Sequence, residues 1–131
     1  MRDYQSKKNN QYLMDDRLWR KTLFLIRDYD RLTTEYNDRI GEGMSPGTES
    51  SGGKTNQTGD PTGMKAIKLA VISDQIRAIE KARLKIPFEY MEGVWDNIQY
   101  YTRYPIYADR HTYGYWKRRY VYEVAKNMNW I

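Results

Sequence analysis

Leu18, Thr22, Leu25, Tyr29, Leu32 and Tyr36 recur at steps of four and three. This spacing sets apolar side chains along one stripe of an α-helix and is shared by coiled-coil seams. It predicts a long first helix from about residue 10 to residue 40. A second seam, Leu69, Ile72, Ile76, Ile79 and Ile86, has the same spacing, broken only by Arg83, and predicts a helix over 64–86. The two stripes match in length. Packed antiparallel they give a long helical hairpin, in which each fully buried Leu or Ile contributes roughly 1.5–3 kcal/mol. Paired between chains they give a homo-oligomer instead, and the sequence leaves both arrangements open.

The text between the seams, "GEGMSPGTESSGGKTNQTGDPTG", holds seven of the nine glycines and two of the four prolines. With so few apolar side chains it cannot offset the entropy of being ordered. Residues 41–63 are therefore expected to be a flexible linker, with a functional loop as the other reading. After the second seam, "KIPFEYMEGVWDNIQYY" places Pro87 in the first turn of a third helix, where its missing N–H costs nothing. Met91, Val94, Trp95, Ile98 and Tyr101 supply that helix's apolar side. "TRYPIYAD" then breaks the pattern at Pro105, and Asp109 can cap a last helix over about Arg110 to Asn129. No period-two strand occurs. The expected fold is all-α: a first helix within 1–40, the linker 41–63, a second helix 64–86, and a helix-turn-helix-like unit 87–131.

The last helix carries the densest pattern of the chain, "HTYGYWKRRYVYEVAK". At about 100° per residue it separates into two faces. Tyr113, Trp116, Tyr120 and Val124, flanked by Val121 and Met128, form a core side. His111, Tyr115, Arg118, Arg119, Tyr122 and Lys126 form the opposite, basic side with aromatic rings between the charges. Two helices joined by a short connection, the second basic on its outer face, is how a protein offers a helix to the major groove. Arg118 and Arg119 could read guanine edges or hold phosphates, Lys126 could hold a phosphate, and Tyr115 and Tyr122 could bond phosphates or pack on sugars. Tyr and Arg are equally the side chains of protein-binding hot spots.

Charge points the same way. The chain of 131 residues has a formal charge of +5 and a pI near 9.3, which permits anionic partners without demanding them. Residues 102–131 alone hold six bases and two acids. Other chemistry finds little footing. There is no cysteine, so no disulfide framework or thiolate. His111 is the single histidine and lacks the companions of a structural zinc site. Asp15 with Asp16, and Asp28 with Asp30, do not face one side of a helix as Mg²⁺ ligands should. No phosphate-cradling glycine motif occurs. No metal, cofactor or enzymatic activity is expected. Without an apolar leader or a stretch of roughly 20 apolar residues, the chain reads as a cytoplasmic protein that spans no membrane.

The runs "DPTGMKAIKLA", "AIEKARLKIPFEYMEGVWDNI" and "YPIYADRHTYGYWKRRYVYEVAKNMNWI" resemble the phage late-gene transcriptional regulators of the ArpU and RinA type, over roughly residues 58–131. The C-terminal part of those proteins is similar to the promoter-reading helix-turn-helix of sigma-factor region 4. The resemblance implies a phage regulator, acting in the host bacterial cell, that activates late genes. "IPFEY" then opens the DNA-binding unit, and Thr112, Tyr115, Lys117, Arg118 and Arg119 become candidate DNA contacts, in a unit abbreviated at "TRYPIYAD". The expected partners are duplex DNA, a homo-oligomeric copy, and host RNA polymerase or another host protein. The alternative function is a small helical phage protein that inhibits a host enzyme or defence complex, or a packaging adaptor resembling a terminase small subunit.

Overall fold

The computed structural model describes residues 3–44 and 61–131. Among them all regular structure is α-helical: α1 Asp16–Arg27, α2 Tyr29–Met44, α3 Pro61–Arg83, α4 Phe88–Tyr100 and α5 Arg110–Asn127. The all-α class expected from the seams is therefore the fold observed. The proposed linker lies for the most part outside the described residues. Its two ends, 41–44 and 61–63, belong to helices α2 and α3.

The first helix differs from expectation at both its start and its middle. It begins at Asp16 rather than near residue 10, because the Asp15 carboxylate accepts the Arg17 N–H at 3.0 Å and caps it there. It is then interrupted for one residue at Asp28. The hydrogen-bond ladder continues on either side, from Asp28 N–H to Phe24 O at 3.1 Å and from Leu32 N–H to Asp28 O at 2.9 Å. The Asp28 carboxylate is occupied by Arg31, at 2.8 and 2.6 Å, and short acidic side chains are poor helix-interior residues. The expected stripe is inward, with Thr22, Leu25 and Leu32 buried. A second stripe, Trp19, Leu23 and Ile26, is also buried. Helix α1 is thus covered on two faces, by α4 and by α5.

Helix α3 ends at Arg83, where Leu84, Lys85 and Ile86 turn through successive bonds to Lys81, Ala82 and Arg83 carbonyls. Pro87, which disfavours helical backbone at the residue before it, completes the stop. Pro87 sits one position earlier than expected, as the cap rather than the first turn of α4. The second seam is inward at Ile72, Ile79 and Ile86, joined by Ala78 and Ala82.

Helix α5 is the hub. It packs against α3 more extensively than any other pair of elements meets, and also against α4 and α1, while α2 lies against α3. Tyr120 is 0% exposed, and its hydroxyl donates to Ile79 O at 3.3 Å. Asn127 Nδ2 donates to Ala78 O at 3.0 Å, tying the far end of α5 to the same helix. Against α4 the approach is close enough to exclude a side chain. A Cβ on Gly93 would lie 2.6 Å from Tyr113 Cε1, and the Tyr113 ring is itself held between Tyr90 and Tyr104, with centroids 5.1 and 4.8 Å away. Gly93 therefore sets how near the two helices of the expected helix-turn-helix can come.

Candidate nucleic-acid interface

The last helix starts where the sequence places it. The Asp109 carboxylate accepts the His111 N–H and the Thr112 hydroxyl, each at 2.9 Å. The Thr112 hydroxyl bond and then the His111 backbone bond hold the Asp109 carboxyl below the usual carboxylate range. This cap uses the Thr112 hydroxyl within the protein. Arg110 and His111 beside it are exposed, as is Arg103 on the connection from α4. That connection turns tightly, Ala108 N–H to Pro105 O at 3.0 Å, leaving Ile106 and Tyr107 almost wholly in solvent.

The core side of α5 is as read from the sequence, with Tyr113, Tyr120, Val121 and Val124 buried and Trp116 and Met128 half-buried. The expected outer side is not. Of Thr112, Tyr115, Lys117, Arg118, Arg119, Tyr122 and Lys126, Lys126 alone is exposed and the other six are half-buried. Residues 3–15, ahead of α1, provide much of the cover. Tyr12 packs its ring on Tyr115 and Tyr122, with centroids 5.7 and 5.3 Å apart. The Tyr12 and Tyr115 hydroxyls are 3.2 Å apart, and Gln11 Nε2 donates to the Tyr115 hydroxyl at 3.2 Å. Lys117 donates to Asn97 Oδ1 of α4 at 2.7 Å. Arg119 stands over Trp116 and 3.8 Å from Glu123.

Residues 3–15 are themselves fastened at several points. The buried Gln5 side chain pairs with both backbone groups of Met14, donating through Nε2 and accepting through Oε1, and Nε2 also reaches Asp16 at 3.1 Å. Asp3 receives both Nη groups of Arg27, at 2.8 and 3.2 Å, while Arg27 Nε donates to Ile98 O at 2.7 Å. Burial pushes the Asp3 carboxyl up, but the bonds from Arg27 and Tyr101 outweigh it and hold it below its ordinary value. These covering residues carry no periodic signal in the sequence. The excess of aromatic residues on the outer side of α5 is the one trace that something had to cover it.

Among the described residues no group of three His, Cys, Asp or Glu side chains is placed to hold a metal ion, and no helix is long and apolar enough to cross a membrane. Compared with protein-family models, with curated proteins and with solved structures, the chain finds no match.

Proposed function

We propose that the protein is a DNA-binding transcriptional regulator, of the phage late-gene activator kind, that holds the duplex with the first turn of α5 and the connection before it. One arrangement carries this reading: the body of α5 is locked among three helices while its capped first turn, with Arg110 and His111, stands exposed beyond an exposed Arg103. Helix-turn-helix proteins contact bases with the N-terminal residues of the second helix and use the rest of it to pack. The exposed Arg103 and Arg110 suit phosphate oxygens. Tyr115, Lys117, Arg119 and Tyr122 then act as the framework that aims this end. The likeness of residues 58–131 to the phage regulators supports the same reading.

The test is fluorescence anisotropy on labelled duplexes across a salt series, with Arg103→Ala/Arg110→Ala as the variant. The wild-type chain should lose affinity steeply with salt, and the double variant should lower the log–log slope by about 0.9 for each phosphate contact removed. Absence of duplex binding, or an unchanged slope in the variant, would sink the reading.

A second reading, a module that binds a host protein, is favoured by the groove of about 950 Å³ where α3 meets α4. Phe88 is 96% exposed and Leu84 84% exposed at its edge, with Met91 and Trp95 inside and Asp30, Glu89, Glu92 and Asp96 around it. Its single basic lining residue is Arg83, so the groove suits an apolar segment flanked by bases. Such a segment could belong to RNA polymerase, or to the host enzyme of the alternative function.

A further inference from the structure

The four most exposed large apolar side chains among the described residues fall in two places. Ile106 and Tyr107 form the tip of the connection from α4 to α5, and Leu84 and Phe88 edge the groove where α3 meets α4. Each place is also charged, with opposite sign. Arg103 and Arg110 flank the tip, both exposed, and neither side chain makes an ion pair or hydrogen bond within the described residues. The one acid of that stretch, Asp109, is occupied by the cap of α5. Around the groove stand Asp30, Glu89, Glu92 and Asp96. None of these four carboxylates is bonded within the described residues, whereas Asp3, Asp16, Asp28 and Glu35 are each paired with a base. Arg83, the basic residue of the lining, lies over the Trp95 ring at 5.0 Å.

Exposed apolar side chains grouped inside a polar rim mark sites of protein contact, and opposite charge on two such surfaces fixes which meets which. The tip is held in shape before any contact is made. Ala108 N–H bonds to Pro105 O at 3.0 Å, and the Tyr104 ring stacks on Tyr113 with centroids 4.8 Å apart, so presenting Ile106 and Tyr107 to a partner costs little further ordering. The groove lies on another side of α4. Trp95 lines it, whereas Gly93 and Asn97, each two residues and so about 200° away, meet Tyr113 and Lys117 of α5. The tip lines no part of its own chain's groove.

We propose that the groove receives the 103–110 connection of a second copy of the chain, with Ile106 and Tyr107 against Leu84 and Phe88, and Arg103 and Arg110 among the four carboxylates. The proposal rests on the second reading of the groove given above and names the segment, apolar and flanked by bases, that fills it. Because tip and groove are different surfaces, the contact is head-to-tail, and its repetition gives a ring if the rotation closes and an open chain if it does not. Arg103 and Arg110 also serve the duplex reading, so a duplex and a second copy compete for them.

The test is sedimentation velocity of the full chain, without nucleic acid, over a series of protein concentrations at low and high salt. The wild-type chain should associate as concentration rises, and more weakly at high salt. Phe88→Lys and Ile106→Asp replace side chains that stand in solvent, so the fold should be unchanged by circular dichroism, and each should weaken association about tenfold or more. Mixed together, the two variants should form a species of two copies and stop there, since one keeps a working groove and the other a working tip. A wild-type chain that stays monomeric overturns the proposal and leaves the groove open to a host segment. Association that neither variant weakens, or variants that stay apart when mixed, overturns it as well and places the contact elsewhere on the chain.

Discussion

The first half of α3 and the body of α5 invert what their compositions promise. Met64, Ile67 and Val71 stand on one stripe of α3 and are exposed, Ile67 by 61%, whereas Lys117, Arg118 and Arg119 in the middle of α5 are half-buried. The difference lies in the neighbours. Helix α5 has α1, α3 and α4 around it and residues 3–15 over its remaining side, so even long charged side chains lie along apolar surface with their heads at the edge. The exposed stripe at the start of α3 is left without a partner among the described residues of the chain. Burial is decided by what packs on a helix, and hydropathy is only one vote in that decision.

The largest test of this contrast is at the hub. Tyr120→Ala removes a fully enclosed ring and should cost about 3–5 kcal/mol, read as a lowered urea midpoint. A small effect there would mean that α5 is not the centre of the core. Next comes Gly93→Ala. Alanine favours helix over glycine by about 1 kcal/mol, but its methyl would meet the Tyr113 ring, which Tyr90 and Tyr104 keep from moving. Net destabilisation of about 1–3 kcal/mol is expected from this overpacking, and stabilisation instead would show that α4 and α5 are not so tightly apposed.

Lys117 gives a subtler measure of enclosure. Burial, with Arg27 adding to it and Asp3 opposing, pushes its ammonium down from 10.5 to about 8. Below pH 8 folded and unfolded chains both hold the proton. Above it the unfolded chain binds more protons, so this residue makes stability rise with pH, up to its ordinary value. Between about pH 8 and 9.5, below the range in which tyrosines titrate, Lys117→Met should flatten that rise in urea midpoints. The smallest effect belongs to the other side of the comparison. Ile67→Gln should change stability by no more than about 0.5 kcal/mol in a monomer. A larger loss that grows with protein concentration would show that the stripe is covered by a second copy.

Much of the helical framework was legible in sequence. Four-and-three spacing located the inward residues of α2 and α3, and Asp109 marked the start of α5 to the residue. The same spacing in Trp19, Leu23 and Ile26 held a second buried stripe of α1 that a single-seam reading passes over. What could not be read was the fate of the outer side of α5. Gln11 and Tyr12 follow no period and act through contacts with Tyr115 and Tyr122, distant in the chain, while Gln5 fixes their segment through Met14 and Asp16, so no local pattern announces them. The one-residue interruption at Asp28 was hidden for a different reason. It rests on the Asp28 carboxylate taking both ends of the Arg31 guanidinium, a pairing that the spacing of apolar residues does not register.

The cover over α5 joins residues 104 positions apart, Gln11 and Tyr115. During synthesis the segment that emerges early must wait, unpaired, until the last helix has been made and has docked on α3 and α4. Contacts of such long sequence separation form slowly, because the loop they close costs entropy before they repay it. A chain stopped before α5 would therefore leave Gln11 and Tyr12 without the surface they pack on.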